Sequence, residues 1–143
     1  MADILHEFTI GVAPAQVFRA ISTPAGLDQW WTKRSSGEPR RGQIYELWFS
    51  PEYDWRGRVT RCVPNTEFEL EVTEAGEDWT GTRVGFRLAE SGPGTVVSFY
   101  HTGWTAPNSH FRRSSYCWAM YLRILKRYLE EGETVAYEDR SGV

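Results

Sequence analysis

Phe111, Ser115, Trp118, Leu122, Leu125 and Leu129 recur at three- and four-residue steps, and this stripe limits the possible folds more than any other feature of the chain. Asn108 or Ser109 can cap a helix at its start, and Gly132 is a natural stop after about Glu131. Arg112, Arg123, Lys126 and Arg127 fall on other faces, so one side stays apolar along the whole length. A helix this long with a single apolar side has to lie across another layer. The residues before it supply that layer.

From Gly42 to Trp104 the pattern has period two, with turn signals between the runs, as in a meander of antiparallel strands. Ile44 to Phe49 and Tyr53 to Val63 read as strands around a Ser50-Pro51-Glu52 turn. Phe68, Leu70 and Val72 alternate with Glu67, Glu69 and Glu71, which places the three carboxylates toward water. Thr82, Val84, Phe86 and Leu88 alternate with Arg83 and Arg87, and the two arginines are placed to pair with the Glu row. Ser91-Gly92-Pro93-Gly94 then turns the chain into a last strand, Thr95 to Thr102. Upstream, Ile4, His6, Phe8 and Ile10 mark an opening strand. Pro14 starts a short helix carrying Val17, Phe18 and Ile21, and Pro24 starts a second that closes on Trp30-Trp31. The expected class is α+β, with a curved antiparallel sheet wrapped around the long C-terminal helix. Residues 1–143 form one domain, and 133–143 are expected to be a loosely attached tail.

Charge and cysteine content narrow the function. The formal net charge is -3 and the basic residues form only short pairs, such as Arg40-Arg41 and Arg112-Arg113, which argues against nucleic acid as a partner. No apolar run is long enough to insert into a membrane. Cys62 and Cys117 lack metal-ligand spacing and are too few for a disulfide framework, so reduced thiols and a cytoplasmic location are expected. His6, His101 and His110 stand at no recognisable ligand spacing, and neither a metal nor another cofactor is expected. Seven Trp, seven Tyr and seven Phe are the anomaly, since rings with polar tips suit a pocket wall as well as a core.

The run Ala13-Pro14-Ala15-Gln16-Val17-Phe18-Arg19-Ala20-Ile21, followed by Pro24-Ala25-Gly26-Leu27 and Trp30-Trp31, resembles the opening of a known family. So does the far end, from His101-Thr102-Gly103-Trp104 through Trp118, Leu122, Leu125-Lys126, Tyr128-Leu129-Glu130 and Gly132. The resemblance is to the START-like or SRPBCC superfamily, in the branch named after the activator of heat-shock-protein-90 ATPase, and it covers nearly the whole chain. It implies a helix-grip fold. For function it implies several things, because the superfamily includes lipid carriers, polyketide cyclases and co-chaperone domains. It supplies no shared catalytic residue.

The preferred expectation is binding of a small, mainly apolar organic ligand between sheet and helix, without catalysis, with Trp48, Trp55, Trp104 and Trp118 as walls. If Ile44 faces inward, as the matching position does in the family pattern, Glu46 and Trp48 share its face and Glu46 enters the cavity. In the opposite register Tyr45, Leu47 and Phe49 face inward and Glu46 is in solvent. His101 shares parity with Thr95, Val97 and Phe99, so it sits inside. There it is either a second polar anchor or a core histidine satisfied by its neighbours. A cyclase or dehydratase using Glu46 or His101 is the alternative reading, and a chaperone-type protein partner is another.

Overall fold

The computed structural model describes residues 1–143. Nine elements follow the opening strand β1, Ala2–Ile10. They are helices α1 (Pro14–Ser22) and α2 (Pro24–Leu27), strands β2 (Arg34–Ser36), β3 (Ile44–Ser50), β4 (Tyr53–Val63), β5 (Glu67–Glu74), β6 (Arg83–Ser91) and β7 (Gly94–Trp104), and helix α3 (Ser109–Glu131), before a terminal 3₁₀ helix (Tyr137–Gly142). The strands form one seven-stranded antiparallel sheet in the order β1-β7-β6-β5-β4-β3-β2. Both α1 and α3 pack on the same sheet, and they touch each other. This is the expected helix grip.

Local chemistry sets the helix ends. Asn108 Oδ1 accepts from the Phe111 N–H at 2.9 Å, and Gly132 ends α3 in the left-handed region at φ 67°. Pro14 opens α1 at the position where a missing N–H costs nothing. Between α1 and α2 the Thr23 hydroxyl donates to Arg19 O and accepts from Gly26 N, so one side chain serves both helices. Gly26 allows the helices to meet, because a Cβ there would lie 2.6 Å from Ala20 Cα.

The inner face of the sheet carries the core: Ile4 and Ile10, Tyr45, Leu47 and Phe49, Val59, Phe68, Leu70 and Val72, Val84, Phe86 and Leu88, Val97 and Phe99. From α3 it is met by Trp118, Leu122, Ile124 and Leu125. No helix is long and apolar enough to cross a membrane.

Three details depart from the pattern read in the sequence. Glu69 lies on the outer face but is only 4% exposed. Tyr100 Oη and Thr60 Oγ1 each donate to it at 2.6 Å and Arg83 at 3.3 Å, because the Tyr100 ring lies flat over Gly85, where no side chain stands in the way. Arg87 forms no pair with the Glu row and instead stacks on that ring, 5.2 Å from its centre. The tail is docked: Tyr137–Gly142 forms a 3₁₀ turn, and Arg140 is 4% exposed with hydrogen bonds to Asp28, Trp31 and Thr32.

Candidate ligand site

Between the sheet and α3 the aromatic side chains are in contact with one another. Trp79 is the hub, with ring centres 4.8 Å from Trp55, 5.8 Å from Trp118, 6.3 Å from Trp104 and 4.5 Å from His101. Trp31 lies 5.2 Å from Trp118, and Phe99 lies 4.6 Å from it on the other side. The structure therefore brings Trp55, Trp104, Trp118 and His101 together. It also adds Trp79, which stands in the loop before β6, where no periodicity marked it as inward. A void in this interior, lined by nine apolar residues including Trp30, Trp31, Phe86 and Trp118, measures about 10 Å³. That is about the space of one water molecule, and a dry lining gives such a molecule no partner.

His101 is fully buried, and its role can be read from its neighbours. Trp118 Nε1 donates to His101 Nδ1 at 3.1 Å, so Nδ1 carries no proton and Nε2 does. Nε2–H then donates to Thr82 Oγ1 at 2.8 Å, and the Thr82 hydroxyl donates onward to Trp79 O. Burial pushes the imidazole pKa down to about 3, with His110 nearby as a smaller contribution. Both nitrogens are engaged and the ring is neutral. Close by, Trp79 Nε1 donates to Ser114 Oγ at 3.3 Å, whereas the buried Trp104 Nε1 has no partner.

Glu46 and Trp48 lie outside. The register of β3 turns on Tyr45, whose hydroxyl donates to Ser22 O at the end of α1. With Tyr45 inward, Leu47 and Phe49 follow it, and Ile44, Glu46 and Trp48 go to the other face. There Glu46 accepts from Ser36 Oγ at 2.7 Å and meets Arg56 at 3.3 Å, while the Arg34 guanidinium stacks 4.1 Å from a Trp48 ring. A carboxylate on that face does not reach the interior.

Ligand-sized space lies elsewhere between sheet and helix, in an open groove of about 550 Å³ where α3 passes over the edge strand β1. Phe8, Ala119 and Leu122 supply its apolar residues, and His6, Glu7, Thr9, Arg123, Lys126 and Arg127 surround them. Two of the cations are already committed: Lys126 to Glu130 and Thr9 O, and Arg127 to Glu133. His6 Nε2 sits 3.4 Å from Ser115 Oγ. The inward parity of His6 and Phe8 and the non-stripe position of Ala119 were visible in the sequence. Their meeting was not, because it depends on where α3 crosses the sheet edge.

The same architecture occurs in solved structures. An Aha1 dimer from Colwellia psychrerythraea is 29% identical, with 93% of this chain and 99% of that one covered and a TM-score of 0.85. A protein from Staphylococcus saprophyticus is 23% identical over 94% of this chain and 96% of its own, with a TM-score of 0.79. CalU16 from Micromonospora echinospora is 19% identical over 98% and 81%, with a TM-score of 0.77, and at that distance the likeness is one of fold. No curated protein matches the sequence. Residues 12–130 match the family described as Activator of Hsp90 ATPase homolog 1-like protein, which takes in α1, every strand after β1 and nearly all of α3. The chain therefore belongs to the Activator of Hsp90 ATPase homolog 1-like family, a branch of the START-like superfamily.

Proposed function

We propose that this chain binds a small, mainly apolar organic molecule between its sheet and its C-terminal helix, in the groove where α3 crosses β1. The observation that carries the reading is the apolar floor of Phe8, Ala119 and Leu122 between β1 and α3, under a groove of about 550 Å³ that is large enough for a small molecule. The interior void beside Trp30, Trp31, Phe86 and Trp118, at about 10 Å³, is too small for such a molecule. In this reading Trp55, Trp104, Trp118 and His101 form the rigid core behind the groove, and Glu46 and Trp48, on the far face, take no part. Binding proceeds without catalysis by the bases named from the sequence, since neither reaches the groove.

The test is native mass spectrometry of freshly purified protein, with extraction and identification of any bound molecule, repeated on Ala119→Trp. The added indole takes up part of the groove, and Ala119 does not line the interior void. Loss of the bound species in the variant supports the reading. An empty wild-type chain that also fails to take up N-phenyl-1-naphthylamine overturns it.

The family match and the 29% identity to an Aha1 favour a second reading, action on a chaperone ATPase. It predicts that the purified chain raises the ATP hydrolysis rate of purified Hsp90. An unchanged rate at saturating chain removes it.

A further inference from the structure

The Arg140 guanidinium is buried, and all four of its hydrogen bonds go to main-chain carbonyls. Nη2 reaches Asp28 O at 2.8 Å, Nη1 reaches Thr32 O at 3.1 Å and Trp31 O at 3.2 Å, and Nε reaches Val135 O at 3.1 Å. Three of these acceptors belong to the turn that follows α2. The carbonyls at a helix end lack intrahelical partners, and here they converge on one planar fork. The site continues into aromatic surface: the guanidinium lies 5.5 Å from the Tyr137 ring, which lies 6.4 Å from Phe49, itself 5.6 Å from Trp31.

The segment that delivers Arg140 is docked through few side chains. From Glu133 to Val143, only Val135, Tyr137 and Arg140 are shielded from solvent. The other attachments are two exposed ion pairs, Lys33 with Glu138 and Arg127 with Glu133, which water and salt screen. Asp28 and Glu138 lie near enough to act on the Arg140 charge but neither forms a direct ion pair with it, so burial against carbonyls retains part of the desolvation cost and holds the pKa below the ordinary arginine value. Segments held in this way open at low free energy while the core stays closed.

We propose that the turn Asp28–Thr32 is an arginine-binding site, filled in cis by Arg140. A protein segment presenting an arginine, with an aromatic side chain three residues before it as in Tyr137 and Arg140, takes the site when the C-terminal segment lifts. The occupant follows from the acceptors: three fixed carbonyls match the donors of a planar guanidinium and match a lysine ammonium poorly. This site is separate from the β1/α3 groove and does not depend on it.

The experiment uses the full-length Arg140→Ala variant and a synthetic peptide of residues 134–143. The peptide is expected to bind the variant saturably, and a version carrying Arg140→Lys to bind at least tenfold more weakly. N-ethylguanidine at millimolar concentration raises the melting temperature of the variant, and ethylammonium at the same concentration does not. Equal binding of the two peptides, equal effects of the two cations, or no binding by a folded variant overturns the proposal. If Arg140→Ala does not fold, hydrogen exchange of residues 134–143 is followed in the wild-type chain with excess peptide. Faster exchange there supports exchange in trans, and unchanged exchange overturns it.

Discussion

Trp118 donates its indole N–H to His101 Nδ1 at 3.1 Å, tying the centre of α3 to the inner end of β7. This bond fixes the tautomer of the imidazole, and through Thr82 the chain of donors ends on Trp79 O without a mobile proton. His101 therefore joins helix to sheet.

An acid dependence follows. The folded pKa of His101, about 3, lies below its ordinary 6.5. Between those values the unfolded chain binds more protons, so stability falls as pH drops below about 6.5, by up to about 1.4 kcal/mol per pH unit. Above pH 7 this contribution is complete and flat. His101→Leu, which orphans the Trp118 N–H, is expected to cost about 1–3 kcal/mol at pH 7.5. Urea unfolding at pH 7.5, 6, 5 and 4 should show the gap between wild type and variant narrowing toward acid. A gap independent of pH would contradict the assignment.

Trp104 and Trp118 are both buried, but only Trp118 has a hydrogen-bond partner for its N–H. Trp118→Phe removes a donor and leaves His101 Nδ1 unsatisfied, while Trp104→Phe removes a group that had no partner. The first substitution should cost about 1–2 kcal/mol more than the second, measured by denaturant unfolding of both. Equal costs would mean that the Trp118 bond adds nothing net.

Gly26→Ala forces a methyl group to within 2.6 Å of Ala20 Cα and Arg19 O, both of them backbone atoms that cannot turn aside. The expected loss is about 1–3 kcal/mol. Gly76→Ala meets nothing within 4 Å and serves as the control, expected within about 0.5 kcal/mol of wild type. Thermal melts of the pair check this, and similar melting temperatures would count against tight α1/α2 contact.

The edge strand β1 is covered at one end by α3. Lys126 Nζ donates to Thr9 O at 2.6 Å, Glu130 Oε2 accepts from Gly11 N at 2.7 Å, and the two side chains meet at 2.7 Å. The ion pair thus occupies edge groups that another strand would use. Glu130→Ala should raise the amide exchange rate of Gly11 several-fold, and Lys126→Ala with Glu130→Ala should increase self-association at high concentration. Gly11 exchange and light scattering read the two effects, and no change in either would leave the pair a surface contact only.

Wherever structure follows from neighbours in the chain, it was legible beforehand. Period-two runs gave β3 through β7, the apolar stripe with Asn108 and Gly132 gave α3, and the two prolines gave α1 and α2, because hydrogen bonding and burial there repeat over two to four residues. Strand β2, three residues long, has too little pattern to be seen. Stripe positions blur at their edges for the same reason: Ser114, next to the expected Ser115, is the serine that α3 buries against Trp79.

The sequence by itself determined the order of elements, the side of α3 that is buried and the inward parity of His101, since each depends on spacing alone. Tertiary structure decided the rest. The face that Glu46 takes depends on Tyr45 reaching Ser22 O, a contact between residues 23 apart in sequence. Whether the interior is hollow depends on how rings from separate elements add up in volume, with Trp79 arriving from a loop. The docking of Arg140 rests on carbonyls more than a hundred residues earlier. Such contacts depend on distance in space, and a chain read in order contains only distance along itself.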